Sequence, residues 1–126
     1  MARQARRHNL TVNDVIKILE VQGHVCALCG LGPAGDEGRS YWCIDHDHNC
    51  CRFERPTCGG CVRGLLCNGC NVRGVGWYES LPHALRDWQR LNDYLANSPA
   101  DRCVETRQYR FRFLRRTRQE KPNSLL

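Results

Sequence analysis

An alternating run of acids and imidazoles, Asp45-His46-Asp47-His48, is the segment of this chain best equipped for chemistry. Two Cys-x-x-Cys pairs enclose the run, namely Cys26/Cys29 before it and Cys67/Cys70 after it. Asn71 follows the last of these cysteines directly. Carboxylate and amide oxygens suit a hard divalent cation, and an imidazole beside them suits a general base. A cation and a base together are the equipment for hydrolysing a phosphodiester.

The four cysteines of the enclosing pairs predict a structural zinc. Two Cys-x-x-Cys knuckles supply four thiolates, which hold a tetrahedral ion and leave no open position for a water. The stretch between Cys29 and Cys67 is longer than in a short zinc ribbon, so another element must be looped out between the knuckles. This zinc would join two distant segments and frame the Asp-His run.

A second cysteine group lies inside that stretch and consists of Cys50, Cys51, Cys58 and Cys61. Cys58 and Cys61 have knuckle spacing, and the neighbouring pair can supply the remaining ligands. A second structural zinc is the favoured interpretation, with free buried thiols or a disulfide within the loop as the alternatives. Cys43 and Cys103 are left over, and we expect Cys43 in the core.

The cysteine content also bears on the compartment. A chain of 126 residues with 10 cysteines forms one small domain whose thin core metal ions would help to stabilise. The basic start, MARQARRHNL, lacks the apolar stretch of a secretory signal, and no segment is apolar enough to span a membrane. We therefore expect zinc in a reducing cytoplasm and no contact with a membrane, with a secreted, disulfide-rich protein as the alternative.

The net charge of +6 is concentrated at the two ends of the chain. The candidate phosphate contacts in the last quarter are Arg110, Arg112, Arg115 and Arg116. Arginine clusters suit phosphate recognition, but a solvated tail is an equally good interpretation of a charge run. The composition divides the chain into a flexible basic arm (1–10), a zinc-bound domain (11–98) and a basic C-terminal tail (99–126).

Short elements must position the candidate site. Thr11 is a good N-cap for a helix that runs to about Val21. The β-branched and aromatic residues of Tyr41–Asp45 predict a strand that delivers the Asp-His run, and Val62–Leu66 predicts a second short strand or turn. Cys67–Val72 then opens a helix with Asn71 in its first turn, which Gly74 and Gly76 are predicted to end or kink.

Two further elements are predicted beyond the site. Ser80 and Pro82 are suited to the start of an amphipathic helix over Leu81–Leu95, which Pro99 ends. This helix covers the core, or alternatively forms a dimer surface. In the tail, Tyr109–Phe113 alternates aromatic and basic residues, which predicts an edge strand.

The chain resembles the recombination endonuclease VII family of His-Me-finger (HNH) nucleases. The resemblance rests on three segments, Gln22–Gly30, Ile44–His48 and Val62–Asn71, within roughly residues 12–96. It implies a small α+β fold with a zinc-stabilised ββα-metal core and flanking helices. It also implies a metal-dependent endonuclease that cleaves duplex or branched DNA in a bacterial cell or a phage-infected host.

The resemblance also implies a role for each site residue. Asp45 and Asn71 would hold one Mg²⁺ or Mn²⁺, and His46 would be the general base that activates water. His48 would bind or orient the phosphate, with a direct role as the base as the second choice. Arg63 would contact a DNA phosphate or, equally, anchor the loop. Asp47 would orient an imidazole.

Three departures from the family pattern bear on the substrate. The loop from Asn49 to Cys61 is enlarged, and Gly74 stands where junction-resolving members carry a glutamate, for which Glu79 is the candidate replacement. The helical dimerisation region is also shortened. Resolution of four-way (Holliday) junctions, nicking of ordinary duplex, and assembly as a homodimer or within a larger DNA-processing complex all stay open. The alternative function is a non-catalytic, zinc-stabilised DNA-binding module.

Overall fold

A two-stranded antiparallel sheet lies at the centre of the computed structural model, which describes residues 2–32 and 42–103. Strand β1 is Cys43–His46 and strand β2 is Val62–Leu66, close to the predicted strands. All of β2 is buried, because helices cover both of its faces. Leu65 and Leu66 belong to different apolar clusters, as expected when consecutive strand residues point to opposite faces. The result is a small α+β fold.

Two helices precede the sheet. Helix α2, Val12–Val21, is confirmed: Thr11 accepts from the backbone N–H of Asp14 at 3.1 Å, and the Asp14 carboxylate accepts from the Thr11 N–H at 2.8 Å. The predicted flexible arm, however, forms helix α1, Ala2–Arg7. It is ordered because Ala5 and Leu10 are buried in the core against α2 and the sheet.

The helix after β2 carries Asn71 and is longer than predicted. A π-helix, Cys70–Gly76, runs directly into helix α3, Trp77–Glu79, and we call the two together the site helix. Gly74 and Gly76 do not end it, and the alternative, that they kink it, stays a prediction. Val75 and Tyr78 are buried on the side facing the core, and their burial outweighs the cost of about 1 kcal/mol for each glycine in a helix.

The predicted amphipathic helix over Leu81–Leu95 is wrong in its first half. Helix α4 is only Gln89–Ala96, and it is preceded by a 3₁₀ turn, His83–Leu85. Side chains replace the helical hydrogen bonds in between: the Arg86 guanidinium donates to the carbonyls of Leu81 and Glu79 at 2.9 and 2.7 Å. The Asn92 amide donates to the Arg86 carbonyl at 3.1 Å.

The remaining described element is a 3₁₀ turn, Pro99–Arg102, which packs against α2 and β2. The predicted strand Tyr109–Phe113 and the tail residues Arg110, Arg112, Arg115 and Arg116 lie outside the described residues. So does most of the glycine-rich loop before β1. Within residues 2–32 and 42–103, no helix is long and apolar enough to cross a membrane.

Candidate functional site

A β-bulge at the end of the sheet positions the two central residues of the candidate site. Asp45 pairs with Gly64, but His46 pairs with Val62, so Arg63 is left as the extra residue of β2. Bulges bend a strand and re-aim side chains. At this bulge, the side chain of Arg63 turns toward the carboxylate of Asp45.

Asp45 is almost fully buried and accepts three hydrogen bonds. Arg63 donates from Nε to Oδ2 at 2.8 Å and from Nη2 to Oδ1 at 3.1 Å. The hydroxyl of Tyr94 on α4 donates to Oδ2 at 2.7 Å. Burial, and then the charge of Asp45, raise the pKa of Tyr94, so the phenol stays a donor. The carboxylate therefore has a fixed orientation.

Arg63 is buried and paired with Asp45, and its predicted contact with a DNA phosphate stays a prediction. Its side chain is 5% exposed, and it also donates to both Glu79 oxygens at 2.8 and 3.1 Å and to the His46 carbonyl at 3.1 Å. Burial alone would lower the pKa of Arg63, but the Glu79 hydrogen bonds and the Asp45 charge outweigh it and raise the pKa. These contacts fit the other predicted role of Arg63, in which it anchors the loop.

The oxygen donors expected to hold a divalent ion share one pocket. Asp45, though only 2% exposed, forms part of the pocket wall together with Asn71 from the site helix. A carboxylate has about four lone-pair sites, and Arg63 and Tyr94 use three of those on Asp45. One site on Oδ1 remains, and with the Asn71 amide oxygen it makes a donor set that fits Mg²⁺ or Mn²⁺.

His46 lies in the same pocket. Its ring is held by the loop of residues 49–61, which we call the cysteine-rich loop. The ring Nε2 is 2.9 Å from the carbonyl oxygen of Cys51. A carbonyl can only accept, so neutral His46 carries its proton on Nε2 and presents the lone pair of Nδ1. Burial, followed by the neighbouring His48, lowers the pKa of His46. The ring is therefore a neutral, oriented base near pH 7.

The ring of His48 lies beside that of His46 at a tilted angle. The ring centroids of His46 and His48 are 4.3 Å apart, because β1 ends at His46 and the chain turns immediately after it. Asp47 shapes that turn: its side chain accepts from the Asn49 N–H at 2.9 Å, and its carbonyl accepts from the N–H of Cys51 at 3.1 Å. The predicted role of Asp47 in orienting an imidazole remains a prediction.

A third imidazole, His8, completes the group, and the sequence analysis missed it. Its ring centroid is 5.2 Å from that of His46, and its Nδ1 lies 3.0 Å from the Thr57 hydroxyl. Burial, followed by the charges of His46 and the nearby arginines, lowers the pKa of His8 to about 4. Nothing in the sequence places His8 at the site, although Ala5 and Leu10 around it were a sign that this segment packs.

The structure brings together both predicted cysteine groups. In each group, Cys26/Cys29/Cys67/Cys70 and Cys50/Cys51/Cys58/Cys61, all four sulfur atoms lie within 4.8 Å of one another. The sulfurs of Cys29 and Cys67 are 4.0 Å apart, and those of Cys50 and Cys58 are 3.8 Å apart. Zn–S bonds of about 2.3 Å in a tetrahedron require S–S distances of about 3.8 Å, so both groups fit zinc.

The chemistry of the thiols agrees with a cation at each group. The ten cysteines all lie in the described part of the chain, and none forms a disulfide. In the second group, the contact between Cys58 and Cys61 lowers the pKa of Cys58 to about 4 and raises that of Cys61. Without a metal, one ionised thiol thus opposes the ionisation of its neighbour, whereas a divalent cation stabilises all four thiolates.

The second cysteine group is joined directly to the candidate base. The Cys51 carbonyl holds the His46 ring, and the Asp47 N–H donates to the Cys61 carbonyl at 3.0 Å. Both Cys51 and Cys61 are fully buried. An ion in this group would therefore fix the backbone on which the orientation of His46 depends.

Comparisons with known proteins identify the family of this chain. The family model of recombination endonuclease VII matches residues 1–97. Among curated proteins, the Gene 59 proteins of Mycobacterium phages L5 and D29 are 30% and 32% identical over 100 residues. Those matches cover 79% of this chain and 52% of each relative, so the chain spans about half their length. No solved structure matches significantly. This chain belongs to the recombination endonuclease VII family.

Proposed function

We propose that this protein is a metal-dependent DNA endonuclease built on a ββα-metal (His-Me finger) core. Strand β1, the cysteine-rich loop, β2 and the site helix follow one another in the order that such a core requires. The observation that carries the proposal is His46, whose ring is fixed by the Cys51 carbonyl in a pocket that also contains Asp45, His48 and Asn71. Family membership independently supports an endonuclease.

Asp45 and Asn71 would hold the catalytic ion. A bound Mg²⁺ or Mn²⁺ would stabilise the negative charge that develops on the phosphate and on the leaving oxygen. The chain's own contribution is to keep the donors in place: Arg63 and Tyr94 orient the Asp45 carboxylate, and the site helix carries Asn71. Glu79 balances the charge of Arg63, so the buried network retains one net negative charge for a cation.

His46 would act as the general base. Its Nδ1 would take a proton from a water as that water attacks the phosphorus, and the P–O bond to the leaving oxygen would break. The Cys51 carbonyl accepts from Nε2 and so stabilises the ring once it is protonated. His48, whose ring lies beside that of His46 and is exposed to solvent, would bind or orient the phosphate.

The proposed substrate is DNA, duplex or branched, bound mainly through its backbone. Phosphate contacts supply affinity without sequence information, and the basic ends of the chain supply the charge. Arg110, Arg112, Arg115 and Arg116 stay predicted phosphate contacts. Symmetric cutting of a four-way junction needs two active sites, so a homodimer or a larger assembly belongs to that version of the proposal.

A non-catalytic DNA-binding module is the second candidate, and one observation favours it. The Asp45 carboxylate is already paired with Arg63, as in a site whose charge serves the fold. Such a module would use the zinc groups and the arginines equally well. It would have no use for a neutral, oriented His46 beside Asn71, which is why we rank it second.

The test is a substitution of the base. His46→Ala should abolish cleavage of supercoiled plasmid in Mg²⁺, because it removes the ring nitrogen assigned as the base. Zinc content and DNA affinity should stay at wild-type values. His83→Ala, at an exposed histidine outside the pocket, should cleave normally and is the matched control. Unchanged cleavage by His46→Ala would refute the assignment of the base.

A further inference from the structure

Three arginines line the pocket that contains the candidate base, and the proposed mechanism gives none of them a role. Arg7 comes from the end of α1, and Arg52 and Arg55 come from the cysteine-rich loop. All three are exposed, unlike Arg63. The sequence predicts Arg7 within a flexible arm and indicates no role for Arg52 or Arg55.

The segment that carries Arg7 is docked tightly against the loop that carries Arg55. The Thr57 N–H donates to the Arg7 carbonyl at 2.9 Å, and the Thr57 hydroxyl lies 3.0 Å from Nδ1 of His8. Gly59 packs under the same segment: it has a φ of +83°, and a Cβ there would lie 3.1 Å from the His8 carbonyl oxygen. The backbone of Arg7 is therefore held beside the pocket.

The charge of this wall is positive. Besides the arginines, the pocket contains two carboxylates, Asp45 and Glu54. Asp45 is already paired with Arg63, which leaves Glu54 against three guanidinium groups. Arginine binds phosphodiester oxygens through two parallel N–H bonds, so a positive wall next to a phosphate-cleaving pocket matches the backbone of the substrate.

We propose that Arg7, Arg52 and Arg55 form the phosphate-binding wall of the catalytic pocket and hold DNA phosphates that flank the one to be cut. The wall is made jointly by α1 and the loop of the second cysteine group, which gives that loop a function in substrate binding. The inference rests on the proposed function, since it takes the pocket to be where DNA is cut. It adds phosphate contacts in the body of the domain to those predicted for the C-terminal tail.

The test measures binding separately from cleavage. In a His46→Ala background, affinity for a short DNA duplex is followed by fluorescence anisotropy over a range of salt concentrations, for Arg7→Gln, Arg55→Gln and the double variant. Each lost contact should weaken binding about five- to tenfold near 0.1 M salt and lower the slope of log affinity against log salt by about 0.9. Melting temperature and zinc content should not change, because both side chains are exposed.

Arg3→Gln and Arg6→Gln are the matched controls, because they remove the same charge from exposed positions of α1 that do not line the pocket. They should change the affinity and the slope much less. Equal losses in the control and pocket variants, or a protein that does not bind DNA, would overturn the inference. Wild-type protein that binds DNA without cutting it would refute the proposed function, and the slopes would still decide whether this wall binds phosphate.

Discussion

Two roles compete for the carboxylate oxygens of Asp45, namely binding a cation and pairing with Arg63. The proposed mechanism needs Asp45 as a ligand for a cation, yet Arg63 and Tyr94 already use three of its lone-pair sites. We interpret Arg63 as the group that pairs with the buried Asp45 carboxylate and orients it, with Glu79 balancing the extra positive charge. The remaining site on Oδ1 is then available for the ion.

Removing Arg63 should therefore destabilise the whole domain. Arg63→Met leaves the Asp45 carboxylate buried without its cation, which typically costs about 3–5 kcal/mol in the free energy of unfolding. Arg73→Met, at an exposed arginine of the site helix, should cost less than about 0.5 kcal/mol. Urea unfolding at neutral pH measures both variants. Equal stabilities for the two would mean that the buried ion pair does not hold the site together.

Residue types and spacing predicted which side chains gather at the site, but not their partners. Asp45, His46, His48 and Asn71 line one pocket, as expected. The role of Arg63 depends on a β-bulge, which shifts the pairing by one residue and has no signature in this sequence. His8 joins the site only through tertiary packing of the first ten residues, so no local pattern could reveal it.

Among the structural elements, the cysteine-rich loop links the second cysteine group to the candidate base, His46. Its cysteines gather into a second group of four, and the carbonyl of Cys51 within that group holds His46. The loop also supports α1 through Thr57 and Gly59. Loss of its zinc should thus disturb the base and the docking of α1 together.

Substituting one ligand of this loop should reveal that link. Cys58→Ser should lower the zinc content from two ions per chain to one and strongly reduce cleavage, because the Cys51 carbonyl loses its fixed position. Cys103→Ser is the control, since Cys103 belongs to neither group and its thiol donates to the Pro99 carbonyl, as a serine hydroxyl can also do. Elemental analysis of the purified proteins gives the counts. Two ions in Cys58→Ser would contradict the assignment of this group.

The docking of α1 should be sensitive to acid. The pKa of His8 in the folded protein, about 4, is below the ordinary value of 6.5 because burial and nearby positive groups disfavour its charged form. Protonation therefore favours the unfolded state, and stability is lost as the pH falls from about 6.5 toward 4. His8→Gln cannot be protonated and should lose less stability than wild type between pH 7 and 5 in urea unfolding. An equal loss would show that His8 does not contribute.

Helix lengths were the least predictable part of the fold. The apolar spacing of Leu81–Leu95 predicts one helix, but hydrogen bonds from Arg86 and Asn92 to backbone carbonyls stabilise a non-helical segment before α4. Leu85 and Trp88 of that pattern are exposed. Conversely, α2 was predicted accurately because its capping box is a local signal that depends on Thr11 and Asp14 alone.

For the molecule as a whole, membership of the recombination endonuclease VII family and the geometry of the pocket point the same way. The two strands, the site helix and two cysteine groups that could hold zinc form a small frame around the pocket that contains Asp45, His46 and Asn71. The related Gene 59 proteins of the two phages are about twice as long as the region that matches this chain. The choice between branched and ordinary duplex DNA is therefore a property to be measured on this chain itself.

The most direct test of the account is a cleavage assay of the zinc-loaded protein. Supercoiled plasmid and a synthetic four-way junction are incubated side by side with Mg²⁺, with a chelator that removes Mg²⁺ but leaves zinc bound, and with the His46→Ala variant. The account predicts cleavage with Mg²⁺ alone, and preference for the junction would identify a resolving enzyme. Protein that binds both DNAs with its zinc in place, yet cuts neither in Mg²⁺ or Mn²⁺, would contradict the account and favour a DNA-binding module.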